Sequence, residues 1–268
     1  MKGLLAAAAA VLTLAGTGGA LAGSAAAPPT KTSGVLTVGL DPPAVNFQVG
    51  TLRGTKVLNP KGYEVDLAKA IAAKLGISKI TWVHVPFTGL FRPGPKPFDL
   101  AFEESTITTT RKQAVDFSTP YFKANQGVLV SKGTTPPKSL AELRKLQTCG
   151  QAVTTGLDYI KTKLHPDKAP LIYQTTAAAF TAVAVGRCQA FVMDTPIIAS
   201  QKKTKPSAYG PIAGTIITNE NYGAVLEKGS KLTPFVNRAI SALVKNGTNG
   251  RLQAKWFNLN FSKLLILK

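Results

Sequence analysis

Residues Phe98 to Phe122 read FDLAFEESTITTTRKQAVDFSTPYF and gather hydroxyls, carboxylates and one guanidinium in a short span. The stretch starts as an apolar strand and breaks at Glu103 and Glu104 into Ser105, Thr106 and Thr108. It then opens a helix with Arg111 near its start. That order predicts an anion site, because hydroxyls and free backbone N–H groups meet at a helix N-terminus, where the dipole favours negative charge. Arg111 adds a planar fork able to grip a carboxylate through two parallel hydrogen bonds.

These residues must be held by regular elements, and the hydrophobic pattern supplies them. Val35–Leu40 predicts a strand ending at Asp41, and 48–61 reads as a loop. Tyr63–Leu75 carries a helical stripe at Val65, Leu67, Ala68, Ile71, Ala72 and Leu75, stopped by Gly76. Ile80–Val85 and Phe98–Phe102 predict strands, separated by a segment with prolines at 86, 93, 95 and 97 that excludes an ordinary helix. Further strands are predicted at Gln126–Val130, Gln147–Val153, Leu171–Tyr173, Ala190–Met193 and Tyr222–Leu226. Helices are predicted from Ser139 (a capping box), over Thr176–Val185, from Thr233-Pro234, and around Leu252 and Trp256. Alternating strands and helices predict an α/β fold whose binding loops lie at the C-terminal ends of strands. Asp41, Glu103–Thr106, Thr154–Gly156 and Asp194 all fall at such ends.

The first 26 residues begin with a single Lys, continue apolar and end in small residues, which predicts a signal peptide cleaved after Ala26. Ser24 stands where a lipidated Cys would be, so no lipid anchor is expected and the location is periplasmic or extracellular at the cell surface. The two cysteines, Cys149 and Cys188, permit a disulfide in an exported chain but make no zinc site without nearby histidines. His84 and His165 are isolated, and no cofactor is expected. The net charge is +19. Its lysines are spread along the chain and no nucleic-acid motif accompanies them. The charge reads as a solvated surface with a weak pull on anionic cell-surface polymers and no specific nucleic-acid binding.

The segment from Thr106 resembles the T-I-T-x-x-R-x-x-x-V-D-F-S-x-P-Y-Y signature of the family 3 solute-binding proteins. Thr106, Ile107, Thr108, Arg111, Val115, Asp116, Phe117, Ser118, Pro120, Tyr121 and Phe122 carry the match. GYEVDLAKAIAAKLG, VLTVGLDPP followed by Phe47, Gly186-Arg187-Cys188-Gln189-Ala190 with Asp194, and Tyr222-Gly223-Ala224-Val225 extend it over about residues 34–258. The resemblance implies a type II periplasmic-binding-protein fold: two lobes, each a mixed sheet with flanking helices, joined by a two-segment hinge. Lobe 1 would comprise 34–125 and 218–268, lobe 2 131–213. It also implies a non-enzymatic monomer that captures a polar or basic α-amino acid for the membrane subunits of an ABC importer. By the same resemblance the main chain and hydroxyl of Thr106, with Arg111 and Thr155 beside Thr154, would hold the α-carboxylate. Asp194 would hold the α-ammonium, and Asp41, Phe47 and Phe87 would face the side chain. A zwitterion needs just such a set, one fixed cation, one fixed anion and a few dipoles in a cleft. Neighbouring strands of lobe 2 would bring Cys149 and Cys188 within disulfide reach.

These residues also have plainer roles: Arg111 paired with Asp116, Asp194 as an N-cap, Thr154 and Thr155 as an N-cap pair, Phe47 and Phe87 as core. Glu103 and Glu104 stand where the family often has small residues, and Val153 replaces a usual Gly. A buried carboxylate needs a cation, so each Glu either meets a basic ligand side chain or a lysine of the protein, the second being preferred in so basic a chain. Two other functions stay open: a dehydratase-like enzyme with Glu103 or Glu104 as general acid, and a sensor or surface-adhesion module exploiting the charge.

Overall fold

The computed structural model describes residues 27–257 and 263–268; the leader expected over 1–26 lies outside the described residues. The chain opens with β1 (Val35–Leu40), a hairpin of β2 (Val49–Arg53) and β3 (Lys56–Lys61), then α1 (Tyr63–Lys74) and β4 (Lys79–His84). A single helical turn α2 (Phe87–Leu90) leads to β5 (Leu100–Ala101), α3 (Thr109–Ala114) and β6 (Val115–Phe117). The long β7 (Phe122–Val130) carries the chain out of this half. There follow α4 (Leu140–Arg144), β8 (Thr148–Gln151), α5 (Thr155–Tyr159), a π-helical turn at Ile160–Leu164, β9 (Leu171–Tyr173), α6 (Thr176–Ala184), β10 (Ala190–Asp194) and α7 (Thr195–Thr204). The chain returns along β11 (Ile212–Tyr222) to β12 (Val225–Glu227), α8 (Thr233–Lys245) and α9 (Thr248–Trp256).

Among the described residues these strands form two mixed sheets, ordered β2-β3-β4-β1-β5-β12-β6 and β11-β7-β10-β8-β9. The architecture is thus two α/β lobes, with β7 and β11 running antiparallel between them. In the first lobe α1 buries Val65, Leu67, Ala68, Ile71 and Ala72, and a fully buried Leu or Ile contributes about 1.5–3 kcal/mol. Gly62 precedes it at φ 137°, where a Cβ would come 2.1 Å from the Phe47 carbonyl oxygen, so only glycine fits. In the second lobe the parallel neighbours β8 and β10 bring Cys149 and Cys188 to a Cα–Cα distance of 5.8 Å, and they form a disulfide. With its ends 39 positions apart in sequence, it stabilises the lobe by about 3–4 kcal/mol on the chain-entropy account.

Three expectations are corrected. Residues 48–61 form a hairpin rather than a loop; every residue of β2 is exposed, so no apolar alternation marks it. The strand expected at Tyr222–Leu226 is the end of β11 and the start of β12, because the chain turns at Gly223 and Ala224. Two register shifts in β11 break the period-2 pattern that would have revealed its full length. The tail was expected to close lobe 1. Instead Leu265 and Leu267 exchange hydrogen bonds with Thr215 of β11, and Leu267 is buried against Val128 and Ile216 of the second lobe.

Candidate functional site

A cleft between the two sheets is lined by Asp41, Phe87, Glu103, Glu104, Thr106, Arg111, Thr154, Thr155 and Asp194, together with Pro43, Ala44, Gln48, Gln151, Thr176, Met193 and Ile197. Of the binding residues expected from sequence, Phe47 alone is not in this wall. It is fully buried in an aromatic cluster with Tyr63, Phe122, Tyr222 and Phe257, so it is core. Arg111 is set by α3, whose N-cap Thr108 accepts the Arg111 backbone N–H at 3.1 Å. Its Nη1 donates to the Thr106 carbonyl at 2.7 Å and its Nη2 crosses the cleft to the Val153 carbonyl at 2.9 Å. The guanidinium lies 4.1 Å from the Phe91 ring centroid and 5.5 Å from that of Phe87. Burial lowers its pKa to about 10, which leaves it charged at neutral pH. Asp116, its alternative partner, binds the Gly229 N–H and Lys228 instead.

Val153 reaches across to Arg111 at φ 66°, in the left-handed region that its β-branched side chain disfavours, which explains the glycine usual there. A second cross-cleft bond joins Asn46 Nδ2 to Ser200 Oγ at 3.0 Å. Asp194 begins α7 but makes no side-chain cap. Its carboxylate accepts from Gln126 Nε2 at 2.5 Å and from the Tyr222 hydroxyl. Burial first, then the nearby Glu220, pushes its pKa up to about 7. Thr154 is the N-cap of α5, accepting the Leu157 N–H at 3.2 Å while its hydroxyl donates to the Gln151 carbonyl at 2.7 Å. Its side chain is therefore committed to the backbone, as the plainer reading had it.

The lobe 1 wall is acidic. Asp41 accepts the Phe87 N–H at 2.9 Å and lies 3.0 Å from His84 Nε2, so His84 is not isolated. Glu104, at φ 45°, donates its backbone N–H to Glu64 at 2.9 Å, and its carboxylate accepts from Gln48 at 3.1 Å. Burial pushes both Glu64 and Glu104 up, and their proximity raises Glu104 further. The Tyr121 hydroxyl donates to Glu64. Glu103 is 2 % exposed and neither of its oxygens has a hydrogen-bond partner. Burial, then the charges of Asp41 and Glu64, holds it well above the carboxylate range. The preference for lysine partners is thus corrected: Glu104 meets Glu64 and Gln48, and among the described residues Glu103 meets no cation.

Sequence reasoning missed Gln48, Glu64, Gln126 and Glu220. Glu64 was within reach, since Glu64, Leu67, Ala68 and Ile71 fall on one helical stripe and mark a carboxylate turned into the core.

Residues 36–259 match the family of bacterial extracellular solute-binding proteins, family 3, and the chain belongs to that family. It is 32% identical over 205 residues to a probable histidine-binding protein of Neisseria gonorrhoeae, covering 74% of this chain and 75% of that one. Among solved structures, an ancestral arginine-binding protein bound to glutamine superposes with a TM-score of 0.74 at 31% identity, over 85% of this chain and 100% of the other. The ancestral amino acid-binding protein AncCDT-1, a precursor of cyclohexadienyl dehydratase, matches at 0.71 and 32% identity, over 84% and 96%.

Proposed function

We propose that this chain is an exported receptor that captures one polar α-amino acid, with a cationic side chain, and hands it unchanged to the membrane subunits of an ABC importer. The side-chain class is carried by Glu103, a buried carboxylate in the cleft wall with both oxygens unpartnered. Among the described lining residues four carboxylates, Asp41, Glu103, Glu104 and Asp194, face the single guanidinium of Arg111. The α-carboxylate pairs with Arg111 and the α-ammonium with Asp194, which leaves the lobe 1 carboxylates in excess. Glu104 is hydrogen-bonded to Gln48 and Asp41 to Phe87. A guanidinium or ammonium reaching Glu103 supplies the missing partner and offsets the cost of burying it. Phe87 borders the aliphatic stem of such a side chain.

The test is thermal unfolding of the mature protein against the proteinogenic amino acids. A ligand at about 100 times its Kd adds about 2.7 kcal/mol, or roughly 5–10 °C for a chain of this size. Shifts confined to arginine, lysine or histidine support the reading. A shift confined to uncharged amino acids overturns the side-chain class, and no shift with any overturns amino-acid capture. A raised pKa at Glu103 also suits a general acid. Incubation with the shifting ligand, followed by mass analysis, separates the two: a receptor returns it unaltered.

A further inference from the structure

Glu220 stands outside the cleft lining, near the end of β11 opposite Ala124 of β7, where the chain passes between the lobes. Its Oε2 accepts the Thr106 hydroxyl of lobe 1 at 2.6 Å and the Thr155 hydroxyl of lobe 2 at 2.7 Å. Its Oε1 accepts Gln126 Nε2 at 2.8 Å, and the same amide nitrogen reaches Asp194 at 2.5 Å. Thr106 and Thr155 also line the cleft. Both hydroxyl protons, of which the one on Thr106 was expected to point at a ligand carboxylate, are committed to Glu220, so neither hydroxyl donates to the solute in this arrangement.

We propose that Glu220 is the closure latch of the cleft, a positioning residue whose one carboxylate takes a hydroxyl from each lobe and so holds the two together behind the solute. This rests on the capture reading in requiring that the cleft close, but not on the solute being cationic. Charge-assisted hydrogen bonds to a carboxylate are stronger than neutral ones. A link made only when the lobes meet stabilises the closed form alone, so it slows release and leaves encounter almost unchanged.

The test uses the full mature chain with spin labels at Lys69→Cys on α1 and Lys161→Cys in the π-helical turn, both exposed. The native cysteines are already bonded to each other and do not take the label. Interlabel distances are measured without ligand and with L-arginine. Stopped-flow fluorescence gives the association and release rates of L-arginine. Glu220→Gln and Thr155→Val are each expected to shrink the short-distance population and to speed release about tenfold, with association within about twofold. Combined, they are expected to do little more than either alone, because they remove one link. An unchanged release rate, or two effects that multiply, overturns the latch. If L-arginine does not bind the wild type, the arginine assignment fails by itself, and the ligand-free distances decide the latch. A ligand-free distribution identical in wild type and both variants overturns it, and a loss of the short distance in both supports it. A drop in melting temperature without a change in distances is the signature of a merely structural residue and also overturns it.

Discussion

Asp194 and Glu103 are both carboxylates buried in the cleft wall, one on each lobe, and they differ in their surroundings. Asp194 accepts from Gln126 and Tyr222 and feels Arg111. The Glu103 carboxylate has no hydrogen-bond partner and lies near the charges of Asp41 and Glu64. On the reading proposed above, the lobe 2 carboxylate serves the part common to every α-amino acid, and the lobe 1 carboxylate, left without a partner, is where the ligand's side chain is read.

The largest effect expected from breaking this contrast is at the cation that Asp194 feels and Glu103 does not. Arg111→Ala removes the fixed cation and leaves Asp194 unbalanced; loss of one partner of a buried charge pair costs about 2–5 kcal/mol. Calorimetry is expected to find binding weakened at least about 30-fold for every amino acid that binds. Glu103→Gln separates the two lobes instead. It is expected to weaken L-arginine about 10- to 100-fold while changing L-glutamine by less than about threefold. Equal losses for both ligands would make Glu103 a structural residue.

The carboxylates also set a pH dependence in the ligand-free protein. Asp194 rises from the ordinary 3.8 to about 7 on folding, and Glu103 rises too. Between the unfolded and folded values the native state binds more protons than the unfolded one, so stability falls as pH rises through that window. The ligand-free melting temperature is expected to decrease from about pH 5 to about pH 8, and Asp194→Asn to flatten the slope. A cationic ligand reverses the trend by favouring the charged forms. The smallest effect on specificity belongs to Phe47→Leu, which trims the aromatic core. It is expected to cost about 1–2 kcal/mol in denaturant unfolding and leave the ratio of arginine to glutamine affinity unchanged.

How much of this was legible in the sequence depends on how local each interaction is. The places of Thr106 and Arg111 in the cleft wall were readable because both lie within one strand-to-helix turn, and those of Asp41 and Asp194 because one follows a strand and the other ends one. Phe47 was ambiguous because a cleft wall and a core are both apolar, and only packing against Tyr63 and Phe122 decides between them. Gln48 and Gln126 gave no signal: a neutral amide is unremarkable until its partners, 56 and 68 residues away, are brought beside it. The fate of Glu103 depended on where the lysines fall in space, and among the described residues none pairs with it.

The most direct test of the central claim is calorimetry of L-arginine against L-citrulline, its neutral near-isostere, on wild type and Glu103→Gln at about pH 7.5, where free guanidinium is fully charged. Wild type is expected to prefer arginine by at least about tenfold, and the variant to lose that preference. Equal affinity for the two in wild type, or a preference that survives in Glu103→Gln, would contradict the assignment of Glu103 as the reader of a cationic side chain.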